Sequence, residues 1–219
     1  ALADVLSAAK IANASCGGWM GGDAILVQMG DVADRGRDVA KANACLRRLQ
    51  RLAPEAGGRV IRLVGNHELM RAEGSLRDAH PAESSAAAVA GVMQWKVDVK
   101  SGAVRASYSD GPYFFTHAGV RPALLERLPT SSIGELVSYL NDRLRDAVVA
   151  CHENPVRGRY LERACRFKDD IFTAGIDRGG RGVGGTFWTD WRILEGSPAE
   201  ALPDAVQIVG HSAARCRPR

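Results

Sequence analysis

Two short polar segments carry residues that could do chemistry, and each follows an apolar run directly. The first, GDVADRG, spans Gly30–Gly36 and follows the run Ala24–Met29. The second, GNHE, spans Gly65–Glu68 and follows the run Val60–Val64. Short apolar runs of this kind are typical of buried strands. Because ligands of open α/β sheets bind where the strands end, we expect both segments at one edge of a sheet.

Two histidines stand in the same setting further along the chain. His117 follows the apolar run Tyr113–Thr116, and His211 follows Val206–Val209 after a single glycine. Carboxylate, amide and imidazole groups gathered at one sheet edge suit a catalytic transition-metal site. The absence of a paired Cys-x-x-Cys argues against structural zinc. The pattern therefore predicts one metal site built from the residues that end four strands, namely Asp31, Asn66, His117 and His211.

The elements between these segments can be predicted from periodicity. Arg37 to Leu52 has apolar residues on one helical face and is followed by Pro54 and a glycine pair, so the unit reads as strand, crossover helix and parallel strand. Residues 1–14 have helical spacing, and 15–23 form a glycine-rich loop. Residues 103–107 and 112–116, joined by Asp110-Gly111, predict a hairpin. Ser132, with Glu135 three residues later, predicts a capped helix that ends near Val149.

The motifs resemble those of a known family. GDVADRG, GNHE, His117-Ala118-Gly119 and Gly210-His211 occur in the order found in the dinuclear metallophosphoesterases, and the Asp-Arg-Gly form is similar to that of the serine/threonine phosphoprotein phosphatase branch. The residues after GNHE further resemble the Shewanella-like protein phosphatases. That subfamily usually has Asn and Asp at the positions of Arg71 and Ser75.

The resemblance implies a fold, a cofactor and a role for each motif residue. The fold would be α/β, a calcineurin-like arrangement of two packed mixed β-sheets flanked by helices. The cofactor would be two divalent metal ions, Mn, Fe or Zn, with Mn favoured in vitro. Asp31 would bridge the two ions, and Asn66, His117 and His211 would complete the ligands of the second. Metal-activated water would then attack the phosphorus atom.

The same resemblance assigns the remaining site residues. His67 would donate the proton to the leaving oxygen, and Asp34 would orient and charge its imidazole. Glu68 would accept hydrogen bonds behind the ligands. Arg35 would bind the phosphate through its planar fork. For a second phosphate contact the candidate is Arg192, in a segment similar to the subfamily's Trp-x-Arg, with Arg178 and Arg181 as substitutes.

These residues predict a phosphatase that acts on phosphoserine or phosphothreonine in a protein or peptide, with phosphotyrosine as an alternative substrate. No nucleic-acid partner is indicated, and a regulatory subunit stays an open question. One alternative is a dinucleoside-polyphosphate hydrolase on the same scaffold, although Asp34-Arg35-Gly36 argues against it. Another is a catalytically inactive family member that acts as a binding module.

The family has a further motif, Gly-Asp-x-His-Gly, which precedes the first helix and supplies two ligands of the first metal. The 219 residues do not contain it. We therefore expect a single metallophosphoesterase domain over residues 1–219 that lacks this motif and the C-terminal strands.

Composition limits the function classes without naming one. A quarter of the residues are charged, the net charge is +4, and no apolar run is long enough to span a bilayer. The five cysteines have neither a zinc spacing nor a disulfide-framework spacing. We expect Cys45 in the core and free thiols at Cys151 and Cys165, although a redox pair there is conceivable. The compartment stays open, with the cytoplasm somewhat favoured.

Overall fold

The structure is a computed structural model that describes residues 2–151, 156–157, 160–161, 165–194, 202 and 204–212. The helices are α1 (Leu2–Ala8), α2 (Val39–Leu52), α3 (Asn66–Ala72), α4 (Ser85–Lys100), α5 (Pro122–Leu125), α6 (Ile133–Val149) and α7 (Trp191–Leu194). The strands are β1 (Ile25–Gln28), β2 (Arg59–Leu63), β3 (Val104–Arg105), β4 (Ser107–Asp110), β5 (Tyr113–Thr116), β6 (Val156–Arg157), β7 (Tyr160–Leu161) and β8 (Val206–Ile208). Short 3₁₀ turns span Ala53–Ala56, Asp170–Phe172 and Ile176–Arg178.

The first sheet has the order β1-β2-β3, and both pairings are parallel. The predicted crossover is confirmed, since α2 connects β1 to β2 and buries Cys45, Leu46 and Leu49 against the sheet. A fully buried leucine of this kind contributes about 2 kcal/mol of hydrophobic free energy. Gly57, at φ +79°, ends the turn after α2 and returns the chain to β2.

The second sheet has the order β4-β5-β8, with β4 antiparallel and β8 parallel to β5. The predicted hairpin is thus displaced along the chain: its first arm is β4, whereas Val104 and Arg105 pair with β2 in the other sheet. The chain passes between the sheets at Ala106. There Asn141 Oδ1 accepts the N–H groups of Ala106 and Ser107, at 2.8 and 3.1 Å. A single asparagine on α6 therefore satisfies the backbone where the strand changes sheet.

The two sheets pack face to face. Ile61 and Leu63 of β2 meet Tyr108 and Phe115 of the second sheet in one buried cluster. Because side chains alternate along a strand, Val60 faces the opposite way and packs with α1 and α2. Phe114 likewise faces outward into the largest cluster, which includes residues of α4 and α6. The predicted fold, two sheets flanked by helices, is confirmed.

Two predictions about the remaining elements are wrong. The first helix ends at Ala8 rather than near residue 14, because Lys10 adopts φ 57° and Ala12 pairs with Trp19 in a β-bridge. Cys151 and Cys165 are not free thiols but form a disulfide, and Cys16 and Cys45 form another. Cys45 is buried as predicted, with 8% of its surface exposed.

Within the described residues, no helix combines the length and the apolar character needed to cross a bilayer.

Candidate metal centre

The loop after β1 turns away from the sheet at once. Gly30 has φ +92°, and Asp31, Asp34 and Arg35 also lie in the left-handed region, at φ 56°, 71° and 56°. Residues other than glycine hold such a backbone only where other contacts compensate for the strain. The loop thus presents both aspartates in a conformation of the kind that clusters at binding and active sites.

The two motif loops touch each other through their glycines. A Cβ at Gly65 would lie 2.2 Å from Asp31 Oδ1, and a Cβ at Gly30 would lie 2.5 Å from the backbone nitrogen of Gly65. Real side chains do not approach so closely, so both positions require glycine. The close contact places Asp31 directly beside the start of α3, the helix that carries Asn66 and His67.

Glu68 joins the same two loops by hydrogen bonds, as the sequence predicted. Its Oε2 accepts the N–H groups of Asp31 and Gly65, at 3.0 and 2.8 Å, and its Oε1 accepts the N–H of Ala33 at 2.7 Å. In return, the N–H of His67 donates to Asp31 Oδ1 at 3.1 Å. One half-buried carboxylate therefore sets the position of the first loop relative to α3.

Four side chains converge at the carboxyl ends of the strands. Ligand atoms of Asp31, His117 and His211 all lie within 4.8 Å of one another. His117 Nε2 lies 3.0 Å from both Asn66 Oδ1 and His211 Nδ1, and 3.4 Å from Asp31 Oδ2. Two ligands of a single ion, each about 2.1 Å from it, lie at most about 4.2 Å apart, so this cluster is close to the size of one coordination sphere.

The chemistry of these atoms fits a cation. His117 Nδ1 lies 2.6 Å from the carbonyl oxygen of Met29, so it must carry a proton and donate it. In the neutral ring Nε2 then has only a lone pair, and it faces the oxygens of Asn66 and Asp31. Atoms that can only accept hydrogen bonds do not gather this closely unless a proton or a metal ion lies among them. The residues present therefore fit one divalent metal ion.

The pKa values of the cluster agree with this arrangement. Burial alone would lower the pKa of His117, but the hydrogen bond and charge of Asp31 outweigh it and raise the pKa above its ordinary value. Burial would raise the pKa of Asp31, but His117 and the N–H of His67 bring it below its ordinary value. Burial, with the charges of His117 and Arg178, lowers the pKa of His211 to about 4. These shifts favour a proton on His117 over one on His211.

A second cluster of charges lies beside the first, around His67. His67 Nδ1 is 2.7 Å from Asp34 Oδ2, and both side chains are buried. The other oxygen of Asp34 accepts from Arg71 Nε, and the same guanidinium makes two hydrogen bonds to Glu83, at 2.9 and 2.6 Å. The pairing of His67 with Asp34 matches the sequence prediction. The two residues behind it, Arg71 and Glu83, were missed, because Arg71 was noticed only as a departure from the family pattern.

The candidate phosphate-binding arginines differ in their surroundings. Arg35 is exposed, and its guanidinium forms no hydrogen bond or ion pair with a described residue. Arg192 donates two side-chain hydrogen bonds to the buried Asp190, from Nε at 3.0 Å and from Nη2 at 2.6 Å. The side chain of Arg192 is nevertheless 84% exposed. Arg178 also contacts Asp190, at 3.1 Å, and donates to Ser212 Oγ at 3.2 Å. Of the two arginines that contact Asp190, Arg178 is thus the one that also contacts Ser212, the residue after His211.

Asp190 is negatively charged throughout the ordinary pH range. The hydrogen bonds from Arg192, with a smaller contribution from Arg178, hold the pKa of its carboxyl far below the ordinary value. It therefore neutralises one of the two positive charges on this side of the site.

Comparison with known proteins gives a family and several relatives. The profile of the calcineurin-like phosphoesterase family matches residues 2–175. An uncharacterized protein of Schizosaccharomyces pombe is 35% identical over 154 residues, which are 64% of this chain and 46% of the relative. Shewanella-like protein phosphatase 2 of Arabidopsis thaliana is 46% identical over 59 residues, 27% of this chain and 15% of the relative. The chain thus spans less than half the length of these curated relatives.

Solved structures give the same fold. A cold-active protein tyrosine phosphatase, solved at 1.1 Å, is 20% identical with a TM-score of 0.66, covering 97% of this chain and 60% of that one. The cold-active protein-tyrosine phosphatase of a psychrophilic Shewanella species is also 20% identical, with a TM-score of 0.59 and coverage of 91% and 56%. At such identity the likeness concerns the fold alone.

Proposed function

The chain belongs to the calcineurin-like phosphoesterase family, and on this premise we propose that it is the catalytic part of a metal-dependent protein phosphatase. The substrates would be phosphate monoesters on serine or threonine of proteins or peptides, with tyrosine as an alternative. The names of the relatives support a protein substrate, since they are a Shewanella-like protein phosphatase and two protein tyrosine phosphatases. The observation that carries the proposal is the convergence of four metal-binding side chains next to the His67–Asp34 pair.

Asp31, Asn66, His117 and His211 would hold one ion, and Asp31 would share a second. When bound, two divalent ions of Mn, Fe or Zn would neutralise the phosphoryl oxygens and supply an activated water. The chain's own residues prepare the site. Met29 orients the ring of His117 through Nδ1, and Glu68 holds the loop of Asp31. The further ligands of the other ion would come from a Gly-Asp-x-His-Gly motif.

His67 would give its proton to the leaving oxygen. Asp34 accepts a hydrogen bond from Nδ1, so Nε2 of the same ring stays available to the substrate. Donation from Nε2 requires a proton on both ring nitrogens, since Nδ1 keeps its own proton in the hydrogen bond to Asp34. Arg71 holds the second oxygen of Asp34, so the carboxylate cannot rotate away from His67.

Arginines would bind the phosphate itself. Arg35 offers a free guanidinium fork on the first motif loop, suited to two phosphate oxygens. Arg192, the sequence candidate for the second contact, would act from the opposite side. Because Asp190 already occupies the fork of Arg192, we add Arg178 to this proposal as the better-placed group.

The first test is metal binding by the chain itself. Isothermal titration with Mn²⁺ and Zn²⁺ should show one tight ion per chain, and His117→Gln or Asp31→Asn should abolish it. His80→Gln is the matched control, because His80 lies outside the cluster and only accepts a backbone N–H. Equal binding by His117→Gln and His80→Gln would refute the metal site.

The second test is hydrolysis, measured with this chain and with a version extended by a Gly-Asp-x-His-Gly strand. The extended chain should release phosphate from phosphoserine and phosphothreonine peptides in a metal-dependent way. Diadenosine polyphosphate is the competing substrate. Faster cleavage of it than of any phosphopeptide would favour the dinucleotide hydrolase instead.

A further inference from the structure

A cavity of about 440 Å³ lies between α2 and α4, and it reaches Ala33 and Glu68 behind the first motif loop. Residues of α2 form one wall and residues of α4 the other, and Arg62 of β2 lines the cavity between them. Among the described residues, neither the four metal-binding side chains nor His67 lines it. Its size lies within the range of about 300–1,000 Å³ that is usual for small-molecule sites.

The charges at one end of this cavity are unbalanced. Arg62, only 4% exposed, donates one hydrogen bond, from Nη1 to Asp98 Oδ2 at 2.7 Å. A guanidinium has five N–H donors, and the others on Arg62 have no partner among the described residues. Arg47 of α2 approaches the same carboxylate only to 4.0 Å. Gln94 occupies the second oxygen of Asp98 at 2.8 Å. One carboxylate therefore serves two guanidiniums, which leaves one positive charge in excess.

Over the whole lining three arginines match three carboxylates, and of these carboxylates only Asp98 contacts Arg47 or Arg62 among the described residues. Glu83 is bound to Arg71, and Glu68 accepts three backbone N–H groups. Trp95 also lines the cavity, so its indole can report on a bound probe. The N–H groups of Arg62 that lack an acceptor among the described residues are open to the cavity, so a negatively charged acceptor can pair with them there.

We propose that this cavity binds a small organic anion whose carboxylate lies between Arg47 and Arg62 and whose apolar body lies along α4. The walls suit an apolar body, because Ala87, Ala90 and Gly91 present little more than methyl groups and backbone. The charge selects a carboxylate, since it supplies one negative charge, whereas a phosphate monoester supplies about 1.5 to 2 at pH 7. The proposed contacts to the anion do not include a metal ligand, although Glu68 and Arg71 of the lining also support the proposed metal centre.

Two pairs of variants test the site. Gly91→Met fills the cavity from α4, and Gly91→Ala is its control; a Cβ at this position meets no atom within 4 Å, and both residues favour a helix. Arg47→Gln removes one of the two cations. Arg48→Gln is its control, because Arg48 is an exposed neighbour on the same helix that does not line the cavity.

The probes are naphthalene-2-carboxylate, its uncharged carboxamide and naphthalene-2-phosphonate. Binding is measured by titration calorimetry on the chain treated with EDTA, so that no metal can hold the anion. The indole N–H resonance of Trp95 in ¹H–¹⁵N spectra reports where the probe lies.

The carboxylate should bind saturably and shift the Trp95 resonance. The carboxamide should bind at least about tenfold more weakly, the usual value of one charge-assisted hydrogen bond. Gly91→Met and Arg47→Gln should lose at least about tenfold in affinity, while the two control variants retain it. Equal binding of carboxylate and carboxamide, unchanged binding by Gly91→Met and Arg47→Gln, or no saturable binding overturns the proposal. Tighter binding of the phosphonate overturns the choice of a carboxylate.

Discussion

Acidification should weaken metal binding as a single competing proton would, although two histidines are proposed as ligands. His117, with its raised pKa, carries a proton below neutral pH that the metal must displace. His211, with a pKa of about 4, is already neutral at pH 5. Asp31, with its lowered pKa, is ionised over the same range. Only one of the three groups therefore competes as a proton acceptor.

The geometry gives the reason for a single proton. His117 Nε2 and His211 Nδ1 lie 3.0 Å apart, so a proton on one nitrogen is shared with the other. A second proton would place two cationic rings in contact at a buried site, where like charges repel strongly. The pair therefore takes up one proton as a unit.

The size of the change in Kd distinguishes one shared proton from two independently titrating histidines. Between pH 6.5 and 5, one competing proton with a raised pKa increases the Kd about 30-fold, whereas two independent imidazoles of pKa 6.5 would increase it about 270-fold. The assay is Zn²⁺ titration calorimetry across this range, repeated in two buffers with different ionisation enthalpies to count the protons released. His80→Gln should give the same slope. A slope near two, or no proton release at pH 6, would refute the assignment.

Three further predictions concern the neighbouring residues. In a chain that carries the Gly-Asp-x-His-Gly motif, His67→Asn should keep its metal while turnover falls by roughly 10²–10⁴, less for acidic leaving groups; loss of metal, or an equal loss on every leaving group, would contradict proton donation. Arg71→Leu should lower the free energy of unfolding in urea by about 3–5 kcal/mol, since it leaves Asp34 and Glu83 buried without their cation. The double variant Arg71→Leu with Glu83→Leu should recover part of this loss. If the single variant loses no more stability than the double variant, the reasoning is contradicted. Replacing Cys151 and Cys165, 14 residues apart, by serine should lower the free energy of unfolding by about 3 kcal/mol in urea unfolding; equal unfolding midpoints would show that the disulfide contributes nothing.

The site could be predicted from the sequence because its residues follow strands with strong apolar patterns. Each of Asp31, Asn66, His117 and His211 lies within three residues of a strand end. The change from apolar strand to polar loop can be seen locally in the sequence. Because ligands of α/β sheets bind where the strands end, these four polar residues could be predicted to lie close together. Asp34 and His67 could be paired in the same way, because their loops are neighbours.

Other features depend on contacts between distant parts of the chain. Cys16 and Cys45 are 29 residues apart, and nothing in their spacing selects this pair from the five cysteines. The apolar pattern of residues 1–14 is helical, yet tertiary contacts of Ala12 with Trp19 end the helix earlier. Periodicity describes one element at a time, so it does not contain this information.

The partition of residues 103–116 between two sheets has a similar origin. Val104 to Thr116 contains enough strand-forming residues for a hairpin, but the register depends on which partner strand each residue meets. Asn141, about 35 residues away, stabilises the change of sheet at Ala106. A polar residue in the middle of α6 gives no sign of this role in the sequence.

The passage of the chain between two sheets at Ala106 has a thermodynamic consequence for the metal centre. Asp31 and Asn66 follow strands of the first sheet, whereas His117 and His211 follow strands of the second. An ion bound to all four would connect the first sheet to the second. Its binding free energy would then add directly to the free energy of unfolding. The linkage is reciprocal. A substitution that loosens the packing between the sheets, for example at Tyr108, would then lower metal affinity without contacting a single ligand.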